Sequence, residues 1–553
     1  MKTFLLTISL LPIALTAGAL RLLTPAEGAL VPTLSEGQKA YVTMPHDERI
    51  AFFADQTKRN GMQKLGWYPP PVKLAWEGGA DGTTYRVLVK RLPDGKSFWD
   101  WTGTNTTVDV DNLEIARTYE WTVKGNGETA KGTFRTEDMA PRLLRVPGAA
   151  NMRDLGGRIG LGGRRVKQGM VYRTAGLNSN ASEAFYSRDE LKKNGLYDKI
   201  KADVAKTEAQ IARWKAAVAD PSSVTVLKCP LASDWTVQFK DGSIENVKAD
   251  KRGQVITKTK TSDDVTLTQA FSSPADGVFL VSMTLSQLAS IRVNGEVVYD
   301  LKNVFSSHHR PAKDDAVAAI PVRKGANEIV VTVNPRGNPR VWRMSVSPRE
   351  PLAKALASMQ RNVELRKKNG TRRVSKGMVP GKNRLDAAAQ AYMTKTLGIR
   401  SDVDLRSDRE CFGMTGSPMG ADVTWFHYSS SAYGGLQSDS GKAAFKKVFA
   451  VFLDERNYPI DFHCIAGQDR TGAVAYILNG LLGVAPEQLS LDWEVTGFWN
   501  KSASFNHGNL YDKLVAGFAK WPGATVCEKL ENYVVSLGFT KADIEKFREL
   551  MLE

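Results

Sequence analysis

The 553-residue sequence contains only four cysteines: Cys229, Cys411, Cys464 and Cys527. Four cysteines allow at most two bridges, too few for the disulfide framework that stabilises small secreted domains. The composition, with 24% charged and 42% hydrophobic residues, is instead that of ordinary globular domains. The chain has room for several cores at about 100–200 residues per domain. We therefore expect folded domains without a disulfide scaffold, and at least one cysteine with another task.

Beyond the N-terminus the sequence also lacks any apolar run of the roughly 20 residues that a membrane-spanning helix needs. The first 20 residues, MKTFLLTISLLPIALTAGAL, combine Lys2, a short apolar stretch broken by Pro12, and an Ala-Gly-Ala end. This pattern is typical of a secretory signal cleaved after Ala19. The sequence predicts a signal peptide over residues 1–19, no membrane span, and a secreted or periplasmic mature protein.

Long runs of one charge are absent as well. The formal net charge is +16 and the pI is about 9.4, but lysines and arginines are spread along the chain without a run of five or six. Such runs mark nucleic-acid-binding tails, so no nucleic-acid partner is predicted. The positive balance remains compatible with an anionic substrate.

Two stretches alternate apolar and polar residues in short runs separated by Gly, Asp and Asn, a pattern typical of antiparallel sandwiches. The first, residues 66–138, follows a polar leader and resembles a fibronectin type III module around Trp76 and Tyr119-x-Trp121. The second, residues 223–350, contains RVNGEVVYD and RKGANEIVVTV and resembles a galactose-binding-like jelly roll. That resemblance implies either a carbohydrate ligand or a spacer role.

An octet repeats across this region: RRVKQGMV at residues 164–171 returns as RRVSKGMV at 372–379. Between the two copies, helix-period stretches flank the second sandwich. Domain insertions are tolerated where chain ends lie close together at a surface. We therefore predict a multidomain protein in which one α/β domain is interrupted by an inserted block; chance repetition is the alternative. The predicted parts after the first sandwich are residues 139–178 and 373–553 of the α/β domain, helical connectors 179–222 and 351–372, and the inserted sandwich 223–350.

The chemistry concentrates in DFHCIAGQDRTG, residues 461–472. A short apolar run ends at Cys464, and a helical pattern begins at Thr471. Backbone N–H groups of a tight loop that opens a helix form an anion cradle, and Gly467 permits the turn. Arg470 can hold two phosphate oxygens, and the same positive field keeps the cysteine as a nucleophilic thiolate. The Thr471 hydroxyl can stabilise that thiolate.

These residues form an HC-x5-R-T signature and resemble the cysteine-dependent protein tyrosine phosphatases, in particular the bacterial secreted branch. NMRDLGG at residues 151–157, GGRRVKQGMVYRTAGL at 162–177 and LGIRSDVDLRSDRE at 397–410 match further segments of that branch. The resemblance implies an α/β cysteine-phosphatase domain beside the two β-sandwich modules. It also implies a set of substrate-binding residues: Ile465, Ala466, Gly467, Gln468, Asp469, Arg470 and Arg153.

One position departs from the family pattern, because Gln468 stands where the loop usually has a lysine. The mouth of the site is then expected to lose a positive charge, which disfavours polyphosphorylated substrates. A neighbouring acid, Asp469, can orient Arg470, serve as a structural carboxylate or transfer a proton.

Two carboxylic acids are candidates for protonating the leaving group. Asp404, at the end of a predicted strand, is slightly favoured by analogy with bacterial relatives, and Asp439 lies in a flexible stretch upstream of the loop. His463 is expected to position the cysteine loop through hydrogen bonds. Asn151, Arg153 and Asp154 are predicted to form a polar network beneath the site, although Arg153 can also contact substrate.

The sequence thus predicts an exported phosphatase that acts through a cysteinyl-phosphate intermediate, without metal or organic cofactor. The first-choice substrate is phosphotyrosine in a protein, peptide or small molecule; phosphoinositides or inositol phosphates come second. A rival of another class is a glycan-binding or adhesion protein with a vestigial phosphatase domain. Cys411 is either a resolving thiol for oxidised Cys464 or a plain core residue.

Overall fold

The computed structural model describes residues 19–553 except 221–224, 252, 262, 284–288, 301–315, 336–339, 347–355, 358–359, 361–363, 365–374 and 500–506. The predicted signal peptide, apart from Ala19, and most of the second helical connector lie outside the described residues. The chain divides into two compact units, the first made of Met1–Ala181 and Pro380–Glu553 and the second of Ser182–Val379. Among the described helices, none combines the length and apolar composition of a membrane span.

Two sheets of the first unit share one core in the N-terminal third of the chain. The alternation in the sequence decides which residues face inward: Val87, Tyr119 and Trp121 have no exposed surface. The first two strands come from the predicted polar leader, so this module begins earlier than residue 66. In spatial order the sheets are Arg21–Thr24, Val72–Glu77 and Thr107–Val110, and Ala29–Val31, Glu128–Thr136, Thr118–Gly125, Tyr85–Leu92 and Ser97–Gly103.

The rest of the predicted leader is helical. Ser35 begins the first helix with a capping box, in which its side chain accepts from Gln38 N and the Gln38 side chain accepts from Ser35 N. The apolar residues of these helices are too sparse and irregular in sequence to have indicated them. The elements are the helices Glu36–Val42, His46–Ala54 and Gln56–Gly61 and the turn Met62–Leu65.

A five-stranded sheet forms the centre of the α/β part of the first unit. Its order is Thr424–His427, Ser401–Asp404, Ile460–His463, Val171–Thr174 and Arg153–Asp154; only the last strand is antiparallel to its neighbour. The predicted halves of the α/β domain therefore meet in one sheet, since Val171–Thr174 pairs with Ile460–His463.

Helices and turns cover the sheet. The amphipathic helix Asp439–Phe452 packs Phe445, Val448 and Phe449 into the main core with the apolar helix Asp469–Leu481. The remaining elements are Ala387–Ala391, Tyr392–Thr396, Tyr433–Gln437, Pro486–Glu494, Val495–Phe498, His507–Asn509, Leu510–Val515, Ala516–Ala519, Val526–Ser536 and Lys541–Met551, with short turns at Leu161–Gly163 and Glu455–Asn457. The carboxyl ends of parallel strands meet at one edge of a sheet, which is where such folds place their sites.

The second unit contains a six-stranded and a four-stranded sheet that share a core, in which Val331 and Phe279 are fully buried. The helices Arg188–Lys193 and Leu196–Ala219 lie in the predicted first connector. In spatial order the strands are Ile244–Lys248, Asp234–Gln238, Val265–Ser273, Gly325–Val333, Ala289–Val293 and Glu296–Asp300, and Gln254–Ile256, Arg340–Val346, Gly277–Met283 and Ala316–Val322.

The chain leaves and re-enters the first unit at one place. Arg384 N donates to Leu177 O at 2.9 Å, and Ser179 N donates to Lys382 O at 2.8 Å. The two octets, however, occupy different positions. The first ends at Val171 in the α/β sheet, whereas the second contributes Ser375–Val379 to a two-stranded ribbon of the second unit. Nothing in the structure explains why their letters repeat.

Candidate active site

The carbonyl groups of the loop that joins the strand Ile460–His463 to the helix Asp469–Leu481 accept hydrogen bonds from neighbouring parts of the domain. Gly176 N donates to Ile465 O at 3.0 Å, and Asn151 Nδ2 donates to Ala466 O at 2.8 Å and to Gly467 O at 3.1 Å. The N–H groups of Ala466, Gly467 and Gln468 have no backbone acceptor among the described residues. Since the carbonyls face the supporting donors, these amides are left for an anion at the start of the helix.

Gly467 meets two requirements that no other residue would. Its φ of +62° lies in the left-handed region, and a Cβ there would stand 2.3 Å from Thr174 O on the neighbouring strand. The loop can therefore lie this close to the sheet only with glycine at this position.

The nucleophile candidate, Cys464, is 2% exposed at the base of the loop. Burial raises the pKa of its thiol, but the positive charge of Arg470 and the nearby hydroxyl and amide of Thr471 outweigh burial and leave the pKa below its ordinary value. The thiolate, which is the nucleophilic form, is therefore favoured.

Arg470 is held by a carboxylate that sequence reasoning did not single out. Its Nη1 lies 2.7 Å from Glu410 Oε2 and its Nη2 3.2 Å from Glu410 Oε1, while Nη1 also donates to Leu405 O at 3.3 Å. These bonds use three of the five N–H groups of the guanidinium and leave two for phosphate oxygens. The signal was present in the sequence, because Glu410 ends the DLRSDRE segment.

Asp404 is the first of the two predicted acids. Its carboxylate is fully buried and bonded to Arg406 Nε at 2.9 Å and Arg406 Nη2 at 2.6 Å. Burial raises the pKa of this carboxyl, but His463 and Arg406 outweigh burial and hold the pKa far below its ordinary value. Asp404 is therefore an ionised, paired group in this structure, which suits positioning better than proton donation.

Asp439, the second predicted acid, is the exposed first residue of the helix Asp439–Phe452, next to the N-cap Ser438. A carboxylate at this place favours the helix through its macrodipole. Asp469, by contrast, lies within the loop region: it begins the loop helix, accepts a hydrogen bond from Tyr433 Oη, and its charge acts on the Cys464 thiol. The structure thus places Asp469 in the segment that carries the nucleophile, and Asp439 at the start of another helix.

His463 has no exposed surface and lies among carboxylates of the sheet. Its Nε2 is 3.0 Å from Asp402 Oδ1, and its Nδ1 is 3.3 Å from Cys464 O and 3.9 Å from Asp404 Oδ1. Burial lowers the pKa of the imidazole, but Asp404 and Asp402 outweigh burial and raise the pKa to about 9. A charged His463 forms an ion pair with Asp402 and can donate from Nδ1 to the carbonyl of the nucleophile.

Gln468 does not lie at the mouth as expected, because it is 1% exposed and packs beside Asp469. The exposed side chain next to the nucleophile is instead Ile465, at 38%. The mouth therefore presents an apolar group.

The position of Arg153 does not favour the substrate contact that the sequence had suggested as one of its two roles. It has no exposed surface and donates to Asp492 Oδ1 at 3.1 Å, to Asn151 Oδ1 at 2.5 Å and to Thr496 Oγ1 at 3.2 Å. Because the Arg153 side chain is buried and bonded to these groups, it is not accessible to a substrate, and Arg153 belongs to the network beneath the loop. Asp154, the third predicted member, bonds Arg142 Nη1 at 2.9 Å.

The centre of this network, Asp492, was not predicted. Its carboxylate accepts from three buried guanidinium groups, those of Arg153, Arg158 and Arg173. Arg173 in turn donates to Gly467 O at 2.5 Å and so connects Asp492 to the loop. Only the fold brings these groups together, since Asp492 lies more than 300 residues along the chain from each of the three arginines.

Cys411 is 4% exposed, and its Sγ lies 3.3 Å from Asp404 Oδ2. Burial and the Asp404 charge raise the pKa of this thiol well above its ordinary value. A thiol of this kind is a weak nucleophile and a poor resolving group, so the placement favours the core-residue interpretation.

A model of the tyrosine phosphatase family matches residues 144–254 and 380–553, just over half of the chain. Among solved structures, the chain is similar to the core catalytic domain of PP-IP phosphatase SIW14 from S. cerevisiae in complex with citrate, with 13% identity, a TM-score of 0.17, and coverage of 22% of this chain and 74% of that chain. It is also similar to Streptomyces avermitilis alpha-L-rhamnosidase complexed with L-rhamnose, with 12% identity, a TM-score of 0.13, and coverage of 50% of this chain and 21% of that chain. These TM-scores are too low to indicate a shared overall fold. No curated protein sequence matches the chain.

Proposed function

We propose, since the chain belongs to the tyrosine phosphatase family, that it hydrolyses phosphate monoesters with Cys464 as nucleophile. The observation that carries the proposal is the loop itself. One short segment combines a thiol of lowered pKa, a guanidinium with two N–H groups that meet no acceptor among the described residues, and loop N–H groups that have no backbone acceptor there. Binding alone needs no activated thiol, which disfavours the adhesion-protein alternative.

In the first step, the loop amides and Arg470 bind the phosphate dianion and place phosphorus in line with Cys464 Sγ. The sulfur–phosphorus bond forms as the bond from phosphorus to the ester oxygen breaks, and the leaving oxygen takes a proton. The negative charge of the transferring phosphoryl group is stabilised by the same amides and guanidinium, which are already oriented.

The proton donor that the placement favours is Asp469, because its charge acts on Cys464 and it is part of the loop helix. In the second step, water attacks the cysteinyl-phosphate, Asp469 accepts its proton, and inorganic phosphate leaves with the thiolate restored. The Thr471 hydroxyl, buried beside the sulfur, stabilises the departing thiolate.

The exposed Ile465 beside the nucleophile supports an aryl phosphate, with phosphotyrosine as the first choice. A panel of phosphotyrosine, phosphoserine, phosphoinositide and inositol phosphate esters tests this choice. Fastest turnover of phosphotyrosine is expected; preference for an inositol phosphate would favour the second candidate. The signal-like pattern of residues 1–19 supports export, which N-terminal sequencing of the mature protein tests.

Replacement of the nucleophile tests the reaction class. Cys464→Ser should abolish turnover of an aryl phosphate, while wild-type activity should survive EDTA. Near-normal turnover by Cys464→Ser, or loss on chelation that added metal restores, would place the protein in another class.

A further inference from the structure

The helix Pro486–Glu494 and the turn Val495–Phe498, together called the supporting segment, lie against two other parts of the first unit. One side of the supporting segment reaches the catalytic loop. Asp492 binds Arg173, which donates to Gly467 O, and Thr496 Oγ1 accepts from Asn151 Nδ2 at 3.4 Å. Asn151 is also the donor to Ala466 O. Each of these links passes through only one side chain between the supporting segment and the loop.

The other side of the supporting segment is covered by residues 34–67, called the N-terminal strap. Leu34, Tyr41, Phe53 and Met62 of the strap share one core cluster with three apolar residues of the supporting segment, Leu491, Val495 and Phe498. The contact is close, since a Cβ on Gly497 would lie 2.7 Å from the Met62 sulfur. The strap therefore packs against the backbone of the supporting segment.

A buried ion pair fixes the strap to the supporting segment. Arg49 Nε lies 2.8 Å from Glu494 Oε2, and the two side chains are 4% and 0% exposed. Arg49 Nη2 also donates to Glu487 O at 2.9 Å, so one guanidinium binds both ends of the helix. Glu494 further accepts from Tyr41 Oη of the strap at 3.2 Å and from Tyr511 Oη at 2.8 Å.

Asp492 and Glu494 thus lie two residues apart on one short helix. Asp492 connects this helix to the loop through Arg173, and Glu494 connects it to the strap through Arg49. A displacement of the strap has to be transmitted through this helix, because buried ionic groups cannot be left without partners except at high cost. We propose that the N-terminal strap holds the supporting segment in place and thereby fixes the catalytic loop, with Arg49 and Glu494 as positioning residues. This inference rests on the proposed function of the loop.

The test compares three variants of the full chain. Arg49→Met removes the positive charge and the guanidinium N–H donors. Glu494→Gln removes the negative charge but keeps the size and shape of the side chain. Lys39→Met is the matched control. Lys39 belongs to the same strap, but its ion pairs are with Glu137 at 2.8 Å and Glu36 at 3.2 Å, which are not part of the supporting segment. The readouts are kcat/KM for an aryl phosphate, the thermal unfolding midpoint, and the pH at which iodoacetamide alkylation of Cys464 is half-maximal.

Arg49→Met and Glu494→Gln should lower kcat/KM by up to about a hundredfold, the loss that a misplacement of about 1 Å can produce. Both should shift the alkylation midpoint to higher pH, because Arg470 and the loop amides no longer align on the sulfur. Lys39→Met should keep wild-type values, and Arg49→Lys, which retains the charge, should lie between.

A folded Arg49→Met or Glu494→Gln protein with unchanged alkylation midpoint and kcat/KM would overturn the proposal, even if its unfolding midpoint fell. Glu494→Gln provides this comparison if Arg49→Met does not fold. Alkylation at Cys464, identified by peptide mass spectrometry, needs no substrate. If the wild type hydrolysed no phosphate ester, the proposed function would fail while the alkylation comparison still decided the role of the strap.

Discussion

Glu410 and Arg470 lie 60 residues apart and form a two-point ion pair beside the catalytic loop, with N–O distances of 2.7 and 3.2 Å. Their side chains are 22% and 17% exposed. The pair orients the guanidinium before substrate arrives, so little reorganisation is needed during the reaction.

The first prediction concerns this orientation. Glu410→Gln keeps the size of the side chain but removes the charge and one acceptor, so Arg470 should lose its fixed direction. We expect kcat/KM for an aryl phosphate to fall by about tenfold to a hundredfold, as measured by steady-state kinetics. Asp408→Asn, two residues before Glu410 and 96% exposed at its side chain, is the control and should retain wild-type rates. Equal activity of both variants would show that Arg470 is oriented by other groups.

The second prediction separates the candidate acids. Asp469→Asn should lower kcat by about 10²–10⁴-fold, the usual contribution of general acid–base catalysis. Asp439→Asn should leave kcat within about twofold, because that residue is an exposed helix start. The loss in Asp469→Asn should be much smaller for a nitrophenyl ester than for a phenyl ester, since a better leaving group needs less protonation. A large loss in Asp439→Asn alone would return the role to that residue.

The third prediction is a pH dependence of stability that arises from His463. Its pKa in the folded protein is about 9, above the ordinary value of 6.5. Burial alone would lower this pKa, but the charges of Asp404 and Asp402 raise it by more. A raised pKa of this kind contributes stability that is fully present below about pH 6.5 and is lost as the pH rises through about 9. The wild type should therefore unfold at a lower temperature at pH 9 than at pH 6.5.

Asp402→Asn should reduce that difference, because it removes a carboxylate that stabilises the imidazolium at 3.0 Å. Ser417→Ala removes a hydroxyl that donates to Asp402 Oδ2 at 2.7 Å, without changing any charge, and should keep the difference. Scanning calorimetry of the three proteins at both pH values is the measurement. An unchanged pH difference in Asp402→Asn would refute the pairing.

The fourth prediction concerns the second unit. Ser182 and Val379 are paired neighbours in the two-stranded ribbon, so the ends left by removal of Ser182–Val379 lie within reach of a two-residue turn. Joining Ala181 to Pro380 through Asn-Gly should leave a folded phosphatase with kcat/KM near that of the full chain. The join also keeps the hydrogen bond from Ala181 N to Glu410 O at 2.9 Å. Failure of the shortened chain to fold would show that the α/β part depends on the second unit.

The sequence was sufficient to predict the residues of the site that lie close together along the chain. Cys464, Gly467, Arg470 and Thr471 lie within eight residues, and a strand, a tight loop and a helix follow from their spacing and neighbours. The alternation within residues 66–138 likewise predicted an antiparallel sandwich, and Tyr119 and Trp121 lie in the core between two sheets.

The parts that could not be predicted depend on register and on distant packing. The parallel register sets Asp404 opposite His463, and Asp402 lies two residues earlier on the same face of its strand, where its carboxylate reaches the imidazole. Sequence spacing does not determine that register. Arg49 meets Glu494 across 445 residues of chain. Gln468 was expected at the mouth from its place in the loop, but the turn of the backbone directs it inward and leaves Ile465 exposed.

The most direct test of the account is to trap the covalent intermediate. The enzyme would be mixed with a ³²P-labelled aryl phosphate, quenched in acid within milliseconds, digested with protease and analysed by mass spectrometry. The label should appear on the peptide that contains Cys464, disappear on a longer chase, and be absent from Cys464→Ser. Steady turnover with no label on Cys464, or label on another residue, would contradict the assignment of Cys464 as the nucleophile.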